Sequence, residues 1–97
     1  MSAYLIVHGT ARDADKLKQY ADQAIPMIEA AGGEKVVRAV VTEILVGRHD
    51  HDLCAVFRFP DGDTLRSWYH SAAYQALVPL REAAADMVFI VIEEPSA

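Results

Sequence analysis

The chain has 97 residues, enough for one domain but not for two. Apolar residues make up 53% and charged residues 24%, which excludes a disordered tail. Nine Lys and Arg against fourteen Asp and Glu give a net charge of −5, which argues against a nucleic acid or an anionic membrane as the main partner. An apolar fraction this high in so short a chain suggests that a second subunit covers part of it.

Cys54 is the single cysteine, so an intramolecular disulfide is impossible and a reducing compartment fits. The N-terminus has no basic region, and its apolar stretch is shorter than a signal peptide requires. No window approaches the roughly 18–20 uninterrupted apolar residues of a membrane span. We therefore expect a cytoplasmic protein with no membrane partner.

The first half of the chain predicts a strand and then a helix. Tyr4–His8 is a short apolar run closed by Gly9. Asp13 is the expected N-cap of a helix whose apolar residues recur at spacings of three and four. Pro26 lies inside this helix and predicts a kink, and Gly32–Gly33 predicts its end.

Two further strands are expected next. Lys35–Val46 is rich in valine and isoleucine, and its length predicts a bulge or bend near Val41–Thr42. The polar segment Gly47–Asp52 predicts the hairpin connection. Leu53–Phe59 predicts the third strand, which Pro60 ends.

The last third predicts helical segments and a final strand. Asp61 is the expected cap of a second helix, and Ser71 the cap of its continuation. The first segment has an apolar face at helical spacing, formed by Leu65, Trp68 and Tyr69. The continuation carries Tyr74, Leu77, Val78 and Arg81 on one stripe. Met87–Ile92 predicts the last strand.

The order β-α-β-β-α-β predicts a single ferredoxin-like α+β domain over residues 1–97, a four-stranded antiparallel sheet with both helices on one face. The strands are apolar on both faces, yet the helices can cover only one. In the last strand, Met87, Phe89 and Val91 alternate with Val88, Ile90 and Ile92. We therefore expect a homodimer whose sheets pack face to face.

Several motifs resemble one family. Phe59–Asp61 followed by Trp68–Gln75 is similar to the "FPS…WYxSPEYQ" signature of the domain-of-unknown-function family 1330. Gly32–Arg38 resembles its "GG-x-x-x-x-R", and Arg81–Ala84 its "R-x-x-A". The resemblance implies the dimeric α/β-barrel superfamily, which includes cofactor-free monooxygenases, isomerases, lyases and proteins with no assigned activity. It therefore implies no particular reaction.

The chain departs from that family at two places. Ser71-Ala72-Ala73 stands where the signature has Ser-Pro-Glu, so a carboxylate at a helix start is missing. Gly47–Asp52 stands where the family often has a Gly-x-Trp-x-Pro turn. A family role that depends on the lost Glu or Trp does not carry over.

Arg38 and His8 are the first candidate site residues. Arg38 interrupts a run of valines, where its guanidinium needs a partner or a water-filled pocket. It is a candidate to hold a carboxylate or an enolate, and a structural ion pair is the alternative. His8 shares a strand face with Tyr4 and Ile6 and is a candidate acid or base, with a satisfied strand-end histidine as the alternative.

Aromatic residues and one arginine of the second helical region are further candidates. Trp68, Tyr69 and Tyr74 form an aromatic group for which core packing is the simpler interpretation, although the tyrosines carry hydroxyls that could bond a ligand. Arg81 lies at the margin of the same apolar stripe and either reaches water or closes a pocket as a second cation.

The segment His49-Asp50-His51-Asp52 places two histidines at i and i+2, a spacing that two metal ligands can share. No third histidine or cysteine stands nearby, and two ligands do not make a closed zinc site. A solvated hairpin is therefore the better interpretation, and we expect no metal. The chain has no phosphate loop, dinucleotide fingerprint or cysteine pair, so we expect no cofactor.

These observations lead to two function hypotheses. In the first, a pocket between sheet and helices binds a small, acidic organic molecule, with cofactor-free acid–base chemistry. His8, Arg38 and Tyr69 are then the catalytic candidates, and Arg38, Trp68, Tyr74 and Arg81 the ligand-binding candidates. In the second, the chain is a dimeric interaction module without a ligand.

Overall fold

A four-stranded antiparallel sheet and one layer of helices make up the fold in the computed structural model, which describes residues 1–95. The elements follow in chain order: β1 (Ala3–Ala11), α1 (Ala14–Ala30), β2 (Glu34–Val40), β3 (Leu53–Phe59), α2 (Gly62–His70), α3 (Ala72–Gln75), α4 (Val78–Ala84) and β4 (Ala85–Glu93). The strand order is β2-β3-β1-β4. This is the ferredoxin-like arrangement expected from the sequence, with the second helical region in three pieces. None of the described helices is long and apolar enough to span a bilayer.

The helix caps lie where the sequence predicts them. Asp13 accepts a hydrogen bond from the backbone N–H of Lys16 at 3.1 Å, and Asp61 accepts one from Thr64 at 2.7 Å. α1 is one uninterrupted helix through Pro26. Gly32 follows it with φ +95°, the left-handed conformation that glycine adopts without a steric penalty.

Ser71 ends one helix and begins the next. Its hydroxyl donates to the Trp68 carbonyl at 2.7 Å and accepts from the Tyr74 N–H at 3.2 Å. The helical continuation predicted after Ser71 is broken between α3 and α4. Pro79 lies in the first turn of α4, where its missing N–H leaves no hydrogen bond unmade.

The second strand is shorter than predicted. The last β2–β3 contact is a hydrogen bond from the Val41 N–H to the Asp52 carbonyl at 2.6 Å, and residues 41–52 form a loop. Residues 42–46 are apolar enough for a strand, but the returning segment is polar and offers no paired partner. Near Val41–Thr42, where the sequence predicts a bulge or bend, the strand ends, and the register shift lies earlier, between Lys35 and Val37.

The sheet has a covered face and an open face. The covered face carries the strand residues packed under the helices, among them Leu5, Phe57 and Phe59, which are at most 6% exposed. The open face carries the alternate positions: Val37, Val88, Ile90 and Ile92 are 42–48% exposed. Apolar residues therefore lie on both faces of the sheet, as the strand patterns predicted, and the helices cover one.

Candidate functional site

A cavity of about 150 Å³ lies between α1 and the covered face of the sheet. Small residues on both sides leave this space, namely Gly9, Ala21, Ala24, Ala39 and Ala55. Larger apolar side chains complete the wall, among them Leu5, Val7, Leu17, Ile25, Phe57 and Phe89. An apolar cavity of about this volume is large enough for a single six-membered ring. Size and lining together fit a small organic molecule with a ring or a branched chain.

Arg38 lies at the rim of this cavity. It stands opposite Ala55 in the β2–β3 register, which puts it on the covered face at the edge strand. The residue is exposed, so its guanidinium is solvated by water rather than buried among valines. No carboxylate within residues 1–95 lies within 4.0 Å of it. Arg38 therefore presents a free cation beside an apolar cavity.

Trp68 lines the cavity and is 4% exposed. Its indole Nε1 is buried and has no hydrogen-bond partner within residues 1–95. A buried donor without an acceptor costs free energy, about 1–3 kcal/mol for a neutral group.

A hydrogen-bonded network of three tyrosines and one arginine reaches the cavity through Tyr20, whereas its other members, Tyr69, Tyr74 and Arg81, do not line it. The Tyr20 and Tyr74 hydroxyls lie 2.6 Å apart, and Arg81 donates through Nη1 to the Tyr74 hydroxyl at 3.1 Å and to that of Tyr69 at 3.5 Å. Its Nη2 contacts Glu82 at 3.0 Å, and its side chain is 13% exposed. The guanidinium carbon lies 5.1 Å from the centre of the Phe89 ring. Arg81 is thus held by its own chain.

Burial determines the protonation of this network. It raises the pKa of Tyr20 far above its ordinary value, and Tyr74 adds to the effect. Burial also raises the pKa of Tyr74, although hydrogen bonds with Tyr20 and Arg81 oppose it. Burial by itself lowers the pKa of Arg81, but hydrogen bonds with Tyr69, Tyr74 and Glu82 outweigh this and raise it. At neutral pH the phenols therefore keep their protons and the guanidinium keeps its charge.

Sequence reasoning missed Tyr20 as a member of this network. It placed Tyr20 only on the apolar stripe of the first helix, whereas the residue lines the cavity and bonds Tyr74. The available signal was one hydroxyl in a stripe of otherwise aliphatic side chains. Its partner stands 54 residues away in the chain, so the pairing requires the fold.

His8 lies on the open face, across the sheet from the cavity. It pairs with Cys54 and Val88, whereas its neighbours Val7 and Gly9 line the cavity. A single site that contains both His8 and Arg38 is therefore not formed within one chain. This corrects the expectation that the two act together, because alternation along β1 places His8 on the open face, whereas the β2–β3 register places Arg38 on the covered face.

His8 instead forms a cluster with two other histidines, His49 and His51. Its ring centre lies 4.5 Å from that of His49, and the His49 and His51 centres are 5.9 Å apart. His51 Nδ1 and the Thr10 hydroxyl are hydrogen bonded at 2.9 Å. His8 Nδ1 and His49 Nε2 are buried and unpartnered within the described chain. Among residues 1–95, no three His, Cys, Asp or Glu side chains are placed to hold a metal ion.

We expect Tyr74→Phe to lower the free energy of unfolding by about 1–3 kcal/mol, because it leaves the buried Tyr20 hydroxyl and an Arg81 N–H without their shared partner. Tyr20→Phe should cost less, since Arg81 retains Tyr74. Tyr4→Phe, outside the network, is the matched control and should change the value by less than about 0.5 kcal/mol. Urea denaturation measures all three. Equal effects at positions 74 and 4 would show that the network adds no stability.

Stability should also depend on His8. Burial lowers the pKa of His8 below 6.5, and repulsion from His49 and His51 lowers it further. The unfolded chain therefore takes up this proton at a higher pH than the folded chain, so His8 costs no stability above about pH 6.5 and lowers it as the pH falls below that. Denaturation at pH 7.5 and 5.5 should show a smaller loss for His8→Gln than for the wild type. An equal loss in the two proteins would contradict this.

Comparison with known proteins adds a family to this geometry. The family model described as "Domain of unknown function (DUF1330)" matches residues 2–95. None of the curated proteins compared with this chain matches it.

Solved structures share the fold at low sequence identity. The structure of RPA0582, a protein of unknown function from Rhodopseudomonas palustris, is 17% identical with a TM-score of 0.81, over 99% of this chain and 84% of that one. SnoaB, a cofactor-independent oxygenase from Streptomyces nogalater, is 10% identical with a TM-score of 0.69, over 99% and 95%. A dimeric ferredoxin-like protein of unknown function from Thermobifida fusca is 18% identical with a TM-score of 0.58, over 95% and 90%. At these identities the likeness shows the ferredoxin-like fold, and the match over nearly all of its length shows that this chain belongs to the DUF1330 family.

Proposed function

We propose that the protein binds a ring-sized organic acid in the cavity between α1 and the sheet, with the acid group at Arg38. The observation that carries this proposal is an apolar cavity of about 150 Å³ with an exposed guanidinium at its rim that makes no ion pair within residues 1–95. A ring fills the apolar space, and a carboxylate or enolate pairs with the planar donors of Arg38. Trp68, which lines the cavity, is the second ligand contact that we assign.

The groups around the cavity suit stabilising an anion better than removing a proton. Tyr20 and Tyr74 keep their protons at neutral pH, and the one imidazole among the candidate residues lies across the sheet. Arg81 already donates to its own tyrosines, so we assign it and Tyr69 to support of the wall. In cofactor-free acid–base chemistry here, the ligand's own acidity would supply the anion and Arg38 would stabilise it. The cofactor-independent oxygenase SnoaB shares the fold and makes such chemistry a reasonable extension.

The binding test compares Arg38→Gln with Lys35→Gln, which removes the same charge from the same strand but does not line the cavity. Benzoate and cyclohexanecarboxylate are the probes, and benzyl alcohol is the neutral control. We expect a wild-type Kd of about 10 µM–1 mM, weakened about tenfold by Arg38→Gln and unchanged by Lys35→Gln. Calorimetry and the ligand-dependent shift in melting temperature measure this. Equal affinity of the two variants for benzoate, or no binding of either acid by the wild type, would contradict the proposal.

We further propose that the protein is a homodimer whose open faces pack on each other. Val37, Val88, Ile90 and Ile92 form an apolar surface there that water covers in a single chain. Contiguous exposed apolar surface on this scale is typical of an interface. The similar Thermobifida fusca protein is described as dimeric, which supports self-association.

Ile90→Lys should convert the dimer to a monomer. Ile90 is 43% exposed on the open face, and facing lysines would be desolvated and would repel each other across the interface. Ala83→Lys, on the exposed surface of α4, is the control and should remain dimeric. Sedimentation velocity at 1–100 µM measures the state. A monomeric wild type across this range, or a dimeric Ile90→Lys variant, would exclude this assembly.

A further inference from the structure

We infer that the β2–β3 loop, residues 41–52, is a dimerisation arm whose apolar tip packs against the open face of a second copy. The inference rests on the proposed dimer and adds a segment to it that the strand patterns alone do not include. The sequence predicts that β2 extends to Val46, whereas the strand ends at Val40 and residues 41–46 belong to the loop that connects β2 and β3.

The tip of the loop is apolar and stands away from its own chain. Leu45 is 84% exposed, Val46 is 92% exposed and the adjacent Ile44 is 47% exposed. Gly47 follows with φ +84°, so the chain turns back directly after the tip, and a Cβ built on Gly47 meets nothing within 4 Å. Isolated exposed aliphatic side chains are ordinary, but three in succession at the end of a loop require a partner.

The returning limb of the loop holds the arm on the open face. At its base, the Val41 N–H donates to the Asp52 carbonyl at 2.6 Å. Farther out, His49 packs on His8 with ring centres 4.5 Å apart. Because His8 lies on the open face, the arm is continuous with the exposed valines and isoleucines of that face. One partner can therefore bury both surfaces together.

The open faces of two copies alone bury less area than a stable interface usually does, so an additional contact is needed. Four strands about 4.8 Å apart and about seven residues long present roughly 440 Å² of flat face, or about 900 Å² for two copies. Specific stable interfaces usually bury about 1,200–2,000 Å² in total. An arm from each copy, contributing Ile44, Leu45 and Val46, supplies area of the missing size.

The charges of the loop favour a second copy over a lipid surface. The arm carries three carboxylates, Glu43, Asp50 and Asp52, and one cation, Arg48, which lies 3.8 Å from Asp50. With a chain charge of −5, this composition disfavours the anionic surface of a membrane. The open face of another copy is apolar and carries no such repulsion at its centre.

The test uses the double variant Leu45→Ser, Val46→Ser in the full chain. Sedimentation velocity and dilution fluorescence measure the dimer Kd of the wild type, the double variant and Val40→Ser. Val40 is 61% exposed but lies opposite Leu53 on the covered-face side, so it is the matched control. We expect a Kd at least tenfold weaker for the double variant, an unchanged Kd for Val40→Ser, and unchanged circular dichroism for all three.

The possible outcomes separate this inference from the proposed dimer. A wild type that is monomeric at 100 µM overturns both. A dimeric wild type that Ile90→Lys dissociates, together with a double variant of wild-type Kd, overturns the arm and leaves the dimer. Co-sedimentation with phosphatidylcholine–phosphatidylglycerol vesicles that the double variant abolishes also overturns it, because the tip would then serve a membrane. A weaker dimer Kd for the double variant, together with a wild type that does not bind the vesicles, supports the arm.

Discussion

A sheet that is apolar on both faces, with helices for only one of them, is the constraint from which the remaining structure follows. The covered face excludes water against α1 and α2 and holds the largest buried side chains, among them Tyr74, Phe59, Leu5 and Leu65. The open face has comparable side chains and no cover. At about 25 cal/mol per Å² of apolar surface removed from water, roughly 900 Å² of paired open face corresponds to tens of kcal/mol before the cost of association. A single chain cannot gain this stabilisation.

Side chains do not completely fill the space between the covered face and the helices. The hydrogen bonds around this space show which polar residues support the fold. Small residues in β1, β3 and α1 leave the cavity, and the Tyr20–Tyr74–Arg81 network meets it through Tyr20. The Arg81 side chain is 13% exposed and is held among two phenols, Glu82 and the face of Phe89. Arg38 has none of these partners within residues 1–95. The two arginines therefore differ in their contacts.

Local patterns in the chain predicted much of the fold. Asp13, Asp61 and Ser71 cap helices as expected, because an N-cap depends on residues within three positions of it. The predicted end of β2 was wrong because a strand needs a neighbouring strand for its hydrogen bonds. The polar residues 47–52 do not form one. Pro79 likewise lies in the first turn of α4 rather than inside a continuous helix. Its place there depends on the break between α3 and α4.

Less of the candidate site could be predicted, since it depends on contacts between distant segments. Arg38 and Trp68 were identified as candidates, and both line the cavity. The pairing of Tyr20 with Tyr74 and the cavity itself depend on how α1 settles on the sheet. The sequence predicts that His8 shares a strand face with Tyr4 and Ile6. It does not predict whether the helices cover that face or the opposite one. Once the buried Leu5 identifies the covered face, alternation along β1 is sufficient to place His8 on the other side.

Placing the imidazoles and the cavity on opposite faces separates two properties of the chain. The histidine cluster contacts the β2–β3 loop, so its protonation acts on the loop and the open face. The cavity contacts only the covered face and α1 and α2, with Arg38 at the edge strand. The sheet between them is a continuous hydrogen-bonded layer. A rigid layer couples the sites on its two sides only weakly when neither site has two alternative conformations. We therefore expect substitutions on the open face to leave the proposed ligand binding at Arg38 unchanged, and substitutions in the cavity to leave the proposed self-association unchanged.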